Sequence, residues 1–108
     1  MTIEEITDHA ALLALIEAEQ RGVVLDFWGT WCQPCRTLRP HLETLAADFA
    51  SEWTIVAVHV EGNADLVERY GVQSTPTLVY LRDGTEVHRS TGAVTPSGVA
   101  AALAENRS

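Results

Sequence analysis

The sequence predicts an α/β sandwich, a central mixed β-sheet of four to five strands flanked by helices on both faces. Two short runs, Val23–Trp28 and Thr54–Val60, are apolar at nearly every position, the mark of central strands covered on both sides. Stretches of helical periodicity alternate with them, which is the pattern of a parallel unit with right-handed crossovers. An Asp83-Gly84 hairpin turn then adds an antiparallel edge. With 108 residues and no repeat, low-complexity block or Pro/Gly/Ser-rich linker, the chain reads as one domain over 1–108.

Each element follows from local chemistry. A short outer strand is placed over Thr2–Ile6. Asp8 can cap a first helix that carries Leu12, Leu15, Ile16 and Ala18 and stops at Arg21-Gly22. After the strand Val23–Trp28, Cys32-Gln33-Pro34-Cys35 opens the second helix, with Pro34 in the first turn where a missing N–H is harmless. Leu38, Leu42, Leu45 and Phe49 form its apolar stripe, and Pro40 inside it predicts a kink by removing one ladder hydrogen bond. Following the strand Thr54–Val60, Asn63 can cap a short helix bearing Leu66, Val67 and Tyr70, ended by Gly71 in a left-handed cap. Thr77–Arg82 and the alternating Glu86–Thr91 are the hairpin strands. Thr95-Pro96 starts a last helix with Val99, Ala102 and Leu103 turned inward.

Composition narrows the partners. The hydrophobic fraction of 46% and charged fraction of 20% are those of a folded globular chain. Seven cations, all Arg, against 15 Asp+Glu give a net charge of −8, a field that works against nucleic acid and anionic membrane surfaces. No apolar stretch is long enough to span a bilayer, and the N-terminus lacks the basic and apolar regions of a signal peptide. The expectation is a cytoplasmic protein with no nucleic-acid or membrane partner.

The chemistry is concentrated at Cys32 and Cys35, the only cysteines. Residues three apart on a helix have Cβ atoms roughly 5–6 Å apart, close to disulfide geometry. The unpaired N–H groups and positive dipole end of the helix favour a thiolate at Cys32, while Cys35, one turn in, should be more shielded and less acidic. Cys32 would then attack a disulfide and Cys35 resolve the mixed disulfide. A closed zinc site wants four ligands, and beyond the two thiols there are only the scattered His9, His41, His59 and His88, so no metal is assigned. A purely structural disulfide closing so short a loop would stabilise little. Asp26, inside an apolar strand, reads either as a carboxylate satisfied by backbone donors or water, or as a proton carrier whose pKa is raised by desolvation. Trp28 is expected to be mostly packing, Trp31 to be partly exposed beside the cysteines, and Gly29 to let the backbone turn from strand to helix. The histidines, Glu4, Glu5 and the helix acids are taken as solvated surface.

The run Val24-Leu25-Asp26-Phe27-Trp28-Gly29-Thr30-Trp31-Cys32-Gln33-Pro34-Cys35-Arg36 resembles the active-site segment of the thioredoxin family. Pro40, Tyr70-Gly71-Val72, Ser74-Thr75-Pro76-Thr77-Leu78 and Gly92 extend the resemblance in order and at matching spacings over essentially the whole chain. It implies the thioredoxin fold and a protein-disulfide reductase, with Cys32 as nucleophile and Cys35 as resolving cysteine. It implies that Asp26 is a buried carboxylate behind Cys35 that mediates its proton transfer, and that Pro76 is cis and faces the disulfide. Without the resemblance, Thr75-Pro76 could be a trans turn, since cis is only about 5–6% of X–Pro bonds. Trp31, Gln33, Pro34, Thr75, Pro76, Gly92 and Ala93 would form the docking surface, with the Thr75 backbone pairing with an extended substrate segment. No bound cofactor is implied: the Cys32–Cys35 disulfide would be recharged by an NADPH-dependent flavoprotein, a thioredoxin reductase. The other partners would be disulfide-containing client proteins, met by a monomer.

The chain departs from the family pattern at several positions. Gln33 stands where Gly is most common, Ala57 where many members have a Lys beside the buried Asp, and Thr75 where Ile is common; Gln73 and Ser74 alter the same loop. These leave the redox class intact and bear on substrate range and reductase recognition. Rival readings are a more oxidising oxidase or isomerase, an adaptor or holdase using the same apolar rim, and a metal or cluster site shared between two chains. None of the binding rivals accounts for Asp26 and the Thr75-Pro76 loop together.

Overall fold

The computed structural model describes residues 3–107. Its elements run β1 (Glu4–Ile6), α1 (His9–Ala18), β2 (Gly22–Trp28), α2 (Gln33–Asp48), β3 (Trp53–His59), α3 (Ala64–Arg69), β4 (Thr77–Arg82), β5 (Thr85–Ser90) and α4 (Pro96–Glu105). The five strands form one sheet in the order β1-β3-β2-β4-β5. β3 is parallel to both β1 and β2, whereas β4 is antiparallel to β2 and to β5. The expected mixed sheet with helices on both faces is therefore what the chain forms. Thr2, expected in the first strand, lies outside the described residues. Val60, expected in the second central strand, instead starts a 3-10 turn, Val60–Gly62.

Side chains alternate along a strand, so β2 supplies two cores at once. Val23, Leu25 and Phe27 pack with Leu12 of α1 and Leu66 of α3. Val24 packs on the other face with Leu38 and Leu42 of α2 and with Leu103 of α4. Asp26 and Trp28 share the parity of Val24 and so lie on the face covered by α2. Register extends that placement across the sheet: Asp26 pairs with Ala57, and Ala57 with Glu5. On the antiparallel side Asp26 is opposite Leu78.

The caps act as expected in three places. Asp8 accepts from the Ala11 N–H at 2.7 Å, and Thr95 from the Gly98 N–H at 3.1 Å. Gly71, at φ +61°, closes α3 as the Gly71 and Val72 N–H groups donate to the Glu68 and Val67 carbonyls. Asp83 (φ 53°) and Gly84 (φ 75°) make the hairpin turn, both in the left-handed conformation that a two-residue connection between twisted strands requires. Asn63 differs from expectation. It occupies the N-cap of α3, but its amide makes no capping bond and instead donates to the carbonyls of Ile6 and His59. A buried amide is better satisfied there, where it ties the ends of β1 and β3 together. α2 continues unbroken through the exposed Pro40 to Asp48.

Gly22 opens β2 under the buried ring of Trp53, whose indole N–H donates to the Leu103 carbonyl at 2.9 Å. A Cβ on Gly22 would come within 2.4 Å of two atoms of that ring. Gly22→Ala is expected to destabilise the fold by about 1–3 kcal/mol through overpacking. Urea unfolding followed by tryptophan fluorescence measures the change, and a variant as stable as the parent would show that the Trp53 ring moves aside freely.

Candidate active site

β2 ends at Trp28, and a short turn carries the chain into α2, the Cys32 N–H donating to the Gly29 carbonyl at 3.1 Å. Gly29 is not in the left-handed conformation, so turning is not what requires it. A Cβ there would lie 2.5–2.8 Å from the Trp31 ring, so glycine lets that indole lie close over the turn. Trp31 is 61% exposed, beside the cysteines as expected.

Cys32 and Cys35 form a disulfide with 5.3 Å between their Cα atoms. Cys32 is the N-cap of α2, and its Sγ accepts from the Cys35 N–H at 3.2 Å. A sulfur at this position receives a backbone donor and the positive end of a 16-residue helix. The expected difference in shielding is absent in this oxidised state: Cys32 is 5% and Cys35 6% exposed. Gln33 accepts from Arg36, which also donates to the Thr30 carbonyl, so the side chain that departs from the family pattern is tied to the rim.

Asp26 is 2% exposed and its Oδ1 has no hydrogen-bond partner. No backbone donor among the described residues satisfies that oxygen. Burial pushes its pKa up to about 6, Arg39 pulling it down and Glu5 pushing it up. Arg39 of α2 places Nη2 3.6 Å from the Asp26 carboxylate and Nη1 3.7 Å from that of Glu5. Its guanidinium lies over the Trp28 ring at 5.3 Å, and the Trp28 indole N–H donates to Glu5 at 3.1 Å. Trp28 thus packs and also positions charge. Glu5 is not simply solvated surface, since it faces this cluster. Arg39 was missed in the sequence although it is four residues beyond Cys35, hence on the same helix face. His59 also departs from a plain surface role: it stacks on Trp28 with 4.5 Å between ring centroids.

The Thr75–Pro76 peptide is cis, and Pro76 is buried. The loop before β4 is pinned by hydroxyls: Thr77 donates to the Ser74 carbonyl at 2.7 Å, and Thr91 lies 3.2 Å from both the Ser74 and Thr77 hydroxyls. Two shallow grooves border the cysteines. One, with Trp31 and Thr75 in its wall, is completed by Val60, Val67 and Val72. The other brings Gln33 and Pro34 together with Leu38, His41 and Val94. Gly92 and Ala93 are exposed and line neither groove.

The family model described as Thioredoxin matches residues 4–105. The chain belongs to the thioredoxin family. The thioredoxin of Bacillus subtilis (strain 168) is 44% identical over 93 residues, covering 85% of this chain and 86% of that one. That of Mycobacterium tuberculosis (strain ATCC 25618 / H37Rv) is 36% identical over 101 residues, 94% of this chain and 84% of the relative. Among solved structures, Fasciola hepatica thioredoxin superposes with a TM-score of 0.89 at 31% identity, covering 97% of this chain and all of that one. This family member is a protein-disulfide oxidoreductase; the family carries no prosthetic group and works through its redox-active disulfide. No helix among the described residues is long and apolar enough to cross a membrane.

The raised pKa of Asp26 has a stability consequence of definite sign. Between the unfolded value near 3.8 and the folded value near 6 the native state holds the extra proton, so stability falls as pH rises through that window and stays lower above it. Asp26→Asn should therefore gain on the parent from pH 4 to pH 7, by on the order of 3 kcal/mol at about 1.4 kcal/mol per pH unit. Urea midpoints of the two oxidised proteins at both pH values test this. A difference independent of pH would mean that the carboxyl titrates normally.

Proposed function

We propose that this chain reduces protein disulfides with Cys32 as nucleophile, Cys35 as resolving cysteine and Asp26 as the proton acceptor for Cys35. The observation that carries the assignment is the Cys35 N–H directed at Cys32 Sγ at the start of α2. The donor singles out Cys32 as the sulfur better able to bear negative charge. In the reduced protein the Cys32 thiolate attacks one sulfur of a client disulfide, breaking that bond and releasing the first client sulfur as a thiolate, which takes up a proton. Cys35 then gives its proton to Asp26 and attacks Cys32 Sγ. The mixed disulfide breaks, the second client thiolate leaves and is protonated, and the Cys32–Cys35 disulfide is formed. Two electrons pass to the client, and the oxidised protein must be recharged.

The reading assigns recharging to an NADPH-dependent flavoprotein reductase and places the reaction in the cytoplasm. It takes residues 1–108 as one domain acting as a monomer, with electron transport to client proteins as its cellular task. Clients dock across Trp31, Gln33, Pro34, Thr75, Pro76, Gly92 and Ala93. The groove shared by Trp31 and Thr75 supports an extended client segment lying along the loop before β4.

Cys32→Ser is expected to abolish disulfide reduction, and Cys35→Ser to accumulate mixed disulfides with client proteins, visible as dithiothreitol-sensitive adducts on non-reducing gels. Adducts that form through Cys35 when Cys32 is replaced would reverse the assignment. Equilibration with a dithiol buffer gives the direction: a potential at or below the cytosolic glutathione poise supports a reductant, and a markedly more oxidising value an oxidase or isomerase.

A further inference from the structure

The family pattern often places a lysine on the strand beside the buried carboxyl, and here that position is Ala57, fully buried. Glu5, Ala57 and Asp26 are consecutive register partners across β1, β3 and β2, so the small alanine leaves room between two carboxylates. Arg39 comes down onto that same face from α2 and reaches both carboxylates, at 3.7 Å and 3.6 Å. Its guanidinium is held by the Trp28 ring beneath it, and Trp28 is itself fixed by its bond to Glu5. A pocket of about 210 Å³ at this spot has Cys35 and Arg39 in its wall together with Glu5, Trp28 and Arg36.

We propose that Arg39 is the positioning residue of the resolving step, supplying from α2 the positive charge that keeps Asp26 ionised and able to take the proton of Cys35, in place of a cation on β3. The inference rests on the dithiol mechanism above. The groups facing Asp26 decide its direction. From α2 come Arg39 and, one turn earlier on the same face, Cys35; from β1 comes Glu5. The β3 and β4 neighbours, Ala57 and Leu78, carry no charge, and His59 is turned to Trp28 and Glu61. Arg39 is thus the one cation at the carboxyl among the described residues, opposed by the repulsion of Glu5. It is partly exposed and carries one unpartnered nitrogen, Nε, so its own place in the fold is not that of a saturated structural pair.

The test is the titration of the Asp26 carboxyl, followed by its carbon chemical shift in the oxidised protein, in parent, Arg39→Met, Arg39→Lys and Glu5→Gln. Arg39→Met keeps the bulk and removes the charge, and should raise the Asp26 midpoint by about one pH unit, as expected when an opposite charge within ~4–6 Å is lost. Arg39→Lys should restore most of the parental midpoint, and Glu5→Gln should move it the other way. Resolution of a preformed mixed disulfide should then be roughly tenfold slower in Arg39→Met well below the midpoint, and recover at high pH. An unmoved midpoint in Arg39→Met, or equal shifts in the Met and Lys variants, overturns the proposal. Because the titration is read without turnover, that failure is distinguishable from an inactive parent, which would instead count against the dithiol mechanism.

Discussion

A carboxyl group in the middle of β2, a strand closed by helices on both faces, is the constraint that orders the rest of this site. Taking a charge out of water is costly unless it is paired, and Asp26 has one ion pair at 3.6 Å and one oxygen with no hydrogen bond from the protein. Here the pairing cation comes from α2, which lies directly over that face of β2. The same helix begins at the cysteines, so its first turn presents sulfur and its second presents the guanidinium. Fixing α2 on the sheet through Leu38 and Leu42 therefore fixes the thiols and the carboxyl's partner as one unit.

The rim of the site is set by different means. Cys32 depends on backbone geometry, an N-cap position that gives its sulfur the Cys35 N–H. Trp31 depends on the absence of a side chain at Gly29. The loop before β4 depends on a cluster of three hydroxyls, Ser74, Thr77 and Thr91, which anchors it to the end of the hairpin. The Ser74 hydroxyl is thus part of what holds the loop.

The parts of this arrangement that were legible in the sequence are those with local causes. Central strands announce themselves by apolar runs, helix starts by Asp8 and Thr95, and the hairpin by Asp83-Gly84, because each signal is made by neighbours in the chain. Cys32, Cys35 and Asp26 stood out for the same reason, a reactive pair at a helix start and an acid in an apolar strand. Glu5 and Arg39 did not. The relation of Glu5 to Asp26 exists only through the β1-β3-β2 register, and no local spacing encodes which strands are adjacent. Arg39 reads as an ordinary helix cation until that register places two carboxylates beneath it. Asn63 failed differently, since its capping role was locally sensible and was overridden by two buried carbonyls that needed a donor.

The imperfect pairing of Asp26 suits the proton-acceptor role proposed for it. A carboxylate fully satisfied by donors would be held well below its ordinary pKa and would be a feeble base toward a thiol. Without the guanidinium in the same apolar setting, it would hold its proton to higher pH and accept less readily near neutrality. One partly exposed guanidinium, opposed by Glu5, leaves it between these extremes, with a pKa of about 6 and mostly ionised at pH 7. The folded state is less stable at that pH than it would be with a neutral side chain, a cost that goes with the proposed role. Such a balance depends on charge and distance at the carboxyl and not on which element brings the charge, so a cation on α2 can supply it.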